Sequence, residues 1–61
     1  MIRYLKPDEA GAILGVSPKT LANWRTGDYG PPWTRAGKVV RYLESDLVEW
    51  MESQKVRPNA G

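Results

Sequence analysis

The sequence predicts a small α+β domain, three short helices with a two-stranded β-hairpin between the second and third. Three observations predict it. Helical signals over 7–14 and about 18–26 are separated only by Gly15, Val16 and Ser17, and a three-residue turn containing Gly between short helices is the signature of a helix-turn-helix. Gly and Pro then crowd positions 27–32, and a run rich in Thr, Val, Trp and Tyr follows around Ala36-Gly37, the pattern of a hairpin. A last helical stripe covers about 44–53. At 61 residues one core is all the chain can build, since a domain this small buries only about 60% of the surface its unfolded form exposes. Residues 1–53 are therefore expected to be one domain and 54–61, which hold Pro and Gly without periodicity, a flexible C-terminal tail.

The first helix opens on Pro7, with Asp8 and Glu9 at the positive end of its dipole and Ala10, Ile13 and Leu14 spaced i, i+3, i+4. Gly11 weakens it by roughly 1 kcal/mol relative to Ala, and Gly15 suits the left-handed position that ends many helices. Tyr4 and Leu5 ahead of it form either a short strand or a lid. Ser17 and Pro18 restart the chain as N-cap and first helical residue. Thr26 to Pro32 cannot continue the second helix. In the hairpin, a two-residue Ala36-Gly37 loop pairs Arg35 with Lys38, whereas a three-residue loop with a bulge shifts the pairing and the faces of the basic side chains. In the last helix Leu43, Leu47, Trp50 and Met51 make the apolar stripe and Glu44, Asp46, Glu49 and Glu52 lie largely outside it.

Composition removes several chemistries. There is no Cys and no His, so disulfides, thiolate zinc sites, imidazole ligands and Cys or His catalysis are absent. No apolar run approaches the roughly 20 residues of a membrane span, and the N-terminus has none resembling a secretory signal; a soluble, cytosolic protein is expected. Ser17 has no His or Lys partner placed by the sequence, Glu49 and Glu52 read as a surface pair, and the glycines follow no phosphate-loop spacing. An enzyme is not expected, nor a cofactor. The net charge is only +2, but it is segregated. Residues 15–43 carry Lys19, Arg25, Arg35, Lys38 and Arg41 against Asp28 alone, whereas residues 44–61 carry two basic against four acidic groups. Such a field lets one face approach an anion.

At about 100° per residue, Leu21 and Trp24 define the buried side of the second helix, and Lys19 and Asn23 point almost directly away. Lys donates to guanine O6 and N7, Asn pairs bidentately with adenine, and Thr20 on the flank bonds a base or touches the thymine methyl; Ala22 is small enough to let the helix approach a groove floor. The same residues would suit an ordinary polar helix surface. Arg35, Lys38 and Arg41 on the hairpin add a second basic projection suited to the neighbouring minor groove or its phosphates, although edge-strand cations also discourage sheet aggregation. Trp24 and Trp50 are expected in the core and Trp33 and Tyr42 facing inward, which argues against a platform for stacking single-stranded bases. A protein-interaction module docking a basic partner on the acidic last helix is the reading from a different class.

The order YLKPDEAGAILGVSPKTLANWR followed by GDYGPPWTRAGKVVRYLESDLVEWM resembles the small winged helix-turn-helix proteins of the excisionase and AlpA-like group, related to the DNA-binding domains of MerR-type regulators. The resemblance spans about residues 4–53. It is most specific in LGVSPKTLANW, in GPPW ahead of the hairpin, and in VRYLESDLVEWM. It implies a second helix in the major groove and a wing on the adjacent minor groove or backbone. By matching position, Lys19, Thr20 and Asn23 would read bases, Ser17 and Arg25 would contact phosphates, and Arg35, Lys38 and Arg41 would be wing contacts. The chain departs from basic-rich members in having Ala22 and Asn23 where Arg is common. The resemblance further implies a phage excisionase, a recombination directionality factor that binds and bends attachment-site DNA in cooperating copies and directs a phage integrase toward excision, in the cytoplasm of a bacterial host. An AlpA-like transcriptional regulator is the alternative.

Overall fold

Each helix start in this protein is set by local chemistry. In the computed structural model, which describes residues 2–56, Pro7 begins helix α1 (Pro7–Leu14), and the Glu9 carboxylate reaches back to accept the Lys6 N–H at 2.8 Å, satisfying one of the helix's orphan donors. Gly15 ends α1 at φ 76° and donates to the Gly11 carbonyl. Ser17 then caps helix α2 (Pro18–Thr26) by accepting the Thr20 N–H at 3.1 Å. Both helices, and helix α3 (Glu44–Ser53), occupy the segments the sequence predicts.

Ahead of α1, Tyr4–Leu5 forms strand β1, and strands β2 (Thr34–Ala36) and β3 (Val39–Leu43) form the hairpin. The three make an antiparallel sheet in the order β1-β3-β2. Tyr4 and Leu5 thus resolve as a strand, paired with Leu43 and Tyr42, and the Glu44 N–H donates to the Arg3 carbonyl at 2.9 Å just beyond them. The hairpin takes neither of the two registers weighed from the sequence. Ala36 pairs with Val39 and Arg35 with Val40, so the two-residue loop is Gly37-Lys38, one position later than Ala36-Gly37. Gly37 supplies the positive φ, 62°, while Lys38 has none, the distribution of a II′ hairpin turn with Gly at its first central position. Val40 and Tyr42, two apart on β3, share the face that turns toward the helices, half-buried and buried respectively.

The core takes one fully buried side chain from each element around it: Leu5 of β1, Ala10 of α1, Leu21 of α2, Tyr42 of β3 and Leu47 of α3, with Leu14, Val16, Trp24 and Val40 packed against them. Four expected core residues lie outside the buried cluster, among them Trp50, which is half-buried and not packed on it. Ile13 is 50% exposed and Met51 45%, because α1 presents its Ala10, Gly11 and Leu14 side to the core and α3 its Leu47 side, leaving Ile13 and Met51 at the open edges. Trp33, just ahead of β2, is 37% exposed because it lines an open cleft between α2 and the hairpin rather than the core. Of the expected tail, residues 57–61 lie outside the described residues. Among the described residues no helix is long and apolar enough to cross a membrane.

Candidate nucleic-acid interface

The side chains at issue lie on α2 and on the β2–β3 hairpin. Burial of Leu21, with Trp24 half-buried, orients α2 so that Lys19 and Asn23 are exposed and Thr20 and Ala22 half-buried at the flanks. This is the arrangement the helical spacing predicts. The cap ties two of the expected contact residues together: the Ser17 and Thr20 hydroxyls lie 3.0 Å apart in a hydrogen bond, while Ser17 Oγ also accepts the Thr20 amide. One hydroxyl donates to the other, so one O–H of the pair stays free for an outside acceptor, and the turn fixes the positions of both.

Arg25 is held inside the fold more than an ordinary surface arginine. Its Nη1 donates to the Tyr42 hydroxyl at 2.7 Å, and its guanidinium stands 5.7 Å from the centre of the Trp33 ring and 5.9 Å from that of Tyr42, within the range of cation–π attraction. One side chain so links α2 to β3. The Tyr42 hydroxyl is thereby satisfied, and among the described residues no buried polar side-chain atom lacks a partner.

The register divides the hairpin's charges. Cross-strand partners share a face, so Arg35, opposite Val40, lies on the side that faces the helices, whereas Arg41, opposite Thr34, lies on the other. Arg41 is half-buried and donates to the Val40 carbonyl at 2.8 Å. Lys38 is exposed in the turn itself. Arg35 sits 5.3 Å from the Trp33 ring centre, and Ala22, Arg25, Thr26, Trp33 and Arg35 together line a cleft of about 240 Å³ between α2 and the hairpin. Lys19, Thr20 and Asn23 do not line it. Among the described residues the ion pairs are Arg3 with Glu44, at 3.1 Å, and Lys55 with Glu52, at 2.8 Å, so no carboxylate neutralises the basic side chains of α2 or the hairpin.

Sequence reasoning missed Trp33 and the Tyr42 hydroxyl as parts of this surface. The signal for Trp33 was available: residues two apart on an extended chain share a face, which sets Trp33 beside Arg35. The Arg25–Tyr42 bond joins residues on different elements and needs the fold to be seen. Away from this cleft, Trp24, Tyr29 and Trp50 pack on one another with ring centres 5.2–5.9 Å apart, two of the three pairs edge-to-face, which uses their faces for packing.

A family described as a helix-turn-helix domain matches residues 4–55 of the chain. No curated protein matches it.

Proposed function

The chain belongs to the small helix-turn-helix family of excisionase and AlpA-like proteins, which bind double-stranded DNA, and on that premise we propose that it is a phage excisionase. It would bind attachment-site DNA in several cooperating copies, bend it, and bias an integrase toward excision in the cytoplasm of a bacterial host. Residues 1–53 would be the DNA-binding unit and 54–61 a tail. In this reading α2 enters the major groove, where Lys19, Thr20 and Asn23 reach base edges and Ser17 and Arg25 meet phosphates. The hairpin is the wing, bringing Arg35, Lys38 and Arg41 to the adjacent minor groove or backbone. The work is architectural, with no bond chemistry: binding energy offsets a bending cost of about 1–6 kcal/mol for a 40–90° bend. The observation that carries the reading is the exposed Lys19 and Asn23 face of α2 beside a basic hairpin that no carboxylate among the described residues neutralises.

Selection of duplexes from a random pool at physiological salt, followed by mobility-shift analysis of the winners, tests it. Short direct repeats filled cooperatively, with the retarded mobility of bent DNA, are the expected result. A single site or inverted repeat without bending would point to the AlpA-like regulator, and no enrichment would overturn base reading by α2.

Two variants separate base reading from phosphate contact. Asn23→Ala should cost about 1–3 kcal/mol on the selected duplex and relax its sequence preference; equal losses on selected and random duplex would remove Asn23 from the reading set. Arg41→Ala should weaken all sequences alike. With about three to five phosphates neutralised per copy, log affinity should fall with log salt at a slope of roughly −3 to −4, and Arg41→Ala should flatten it; an unchanged slope would take Arg41 off the backbone.

A further inference from the structure

We infer that the cleft between α2 and the wing seats a single backbone phosphate of DNA, shared by Arg25 and Arg35, with Trp33 and Tyr42 as the residues that position the two guanidinium groups. The inference deepens the DNA-binding reading above and rests on it. Three observations carry it. First, both guanidinium groups stand within 6 Å of one indole ring. Like charges gathered on one ring, with no carboxylate among the described residues in the cleft lining or paired to either, create a local positive potential that an anion relieves. Second, the cleft has room: it holds about 240 Å³, Ala22 lines it with no more than a methyl group, and the Thr26 hydroxyl is turned back onto the Ala22 carbonyl at 3.1 Å. Third, Arg25 is already ordered by its bond to Tyr42, so less freedom is lost when a ligand arrives.

Phosphate matches what the two arginines offer. Each planar guanidinium fork makes paired N–H donations to phosphate oxygens, and a tetrahedral phosphodiester can accept from two sides at once. The source is DNA because the cleft adjoins the α2 face that carries Lys19 and Asn23; Ala22, in its lining, is the neighbour of Asn23. Trp33 and Tyr42 act through the arginines. Sharing also distinguishes this arrangement from two independent phosphate contacts, since one phosphate is neutralised rather than two.

The test is the salt dependence of binding to a mixed-sequence 20-base-pair duplex, which needs no knowledge of the target site. Arg25→Gln and Arg35→Gln should each weaken binding about three- to tenfold, and the double variant little further, with the salt slope falling by about 0.9 in total. Trp33→Ala should weaken binding like either single variant, and Trp33→Phe, which restores a ring face, should recover most of the loss. Tyr42→Phe keeps the buried ring and removes the hydroxyl, and should behave as Arg25→Gln does. Arg35 is exposed, so Arg35→Gln leaves the fold intact and keeps the test decisive where another variant melts early. A slope change of about 1.8 in the double variant, meaning two separate phosphates, or none at all, would overturn the inference while duplex binding by the wild type stands. Competition by millimolar inorganic phosphate at constant ionic strength, with unchanged slopes in the variants, would assign the cleft to a free anion and also overturn it. A wild-type protein that binds no duplex would remove both readings, and that result is read before any variant is made.

Discussion

Trp24→Ala is expected to unfold most of the protein at 25 °C, while Trp50→Ala leaves a folded, less stable domain. Trp24 packs against the buried cluster, meets both the Tyr29 and Trp50 rings, and lies so close to the backbone at Gly30 that a Cβ there would fall 2.8 Å from its ring. Truncating a tryptophan in such a position costs about 3–5 kcal/mol. That equals the whole stability, about 3–5 kcal/mol, that one core of this size supplies. Trp50 is half-buried and is not among the residues packed on the buried cluster. Its loss removes two ring pairs, worth about 0.5–1.5 kcal/mol each beyond area burial. Thermal melts followed by far-ultraviolet circular dichroism separate the two: a cooperative transition retained in Trp24→Ala, or lost in Trp50→Ala, would contradict the assignment.

The helices were legible in the sequence because their ends are written in residues with few alternatives. Pro7, Pro18, Ser17 and Gly15 each suit one position at a helix terminus, and the structure places each there. The last helix needed less, since it follows strand β3 directly with Leu43 as its cap and no side-chain capping bond. The hairpin register was not legible to the residue. Ala36-Gly37 and Gly37-Lys38 both put the glycine in the turn, and moving a two-residue loop by one position slides the pairing by two residues without exchanging faces, so the apolar alternation does not choose between them and the contacts of the folded chain do. The same dependence explains Ile13 and Met51. An apolar stripe fixes which side of a short helix turns inward only to within one residue, and packing selects the rest. For the interface, the exposed Lys19 and Asn23 followed from Leu21 and Trp24 alone. Either two-residue loop puts Arg35 and Arg41 on opposite faces, and only the bulged three-residue loop would have changed that. The bond from Arg25 to Tyr42 was not legible, because the two are 17 positions apart and on different elements.

Gly11→Ala is expected to destabilise the domain by roughly 2–3 kcal/mol, the reverse of what helix propensity alone predicts. In an exposed helix interior, alanine gains about 1 kcal/mol over glycine. Gly11, however, is buried where α1 meets the turn. A Cβ at this position would fall 2.5 Å from the Val16 carbonyl oxygen and 3.6 Å from Leu21 Cδ1. The first of these is backbone and cannot rotate away. Moving it also strains the two hydrogen bonds that close the turn, from the Gly15 and Val16 amides to the Gly11 carbonyl at 2.7 and 2.9 Å. Overpacking of this kind costs about 1–3 kcal/mol, and weakening two bonds costs up to about 1 kcal/mol each, so the propensity gain is outweighed. For a domain of about 60 residues that is a fall in Tm of roughly 10–20 °C. Because the same turn sets the approach of α2 to α1, the remaining folded fraction should also bind duplex DNA more weakly than its population accounts for, as Lys19 and Asn23 are carried out of line with the wing. A Tm raised by Gly11→Ala would mean that the turn yields to the methyl group, and that its spacing is not what fixes α2 against the rest of the fold.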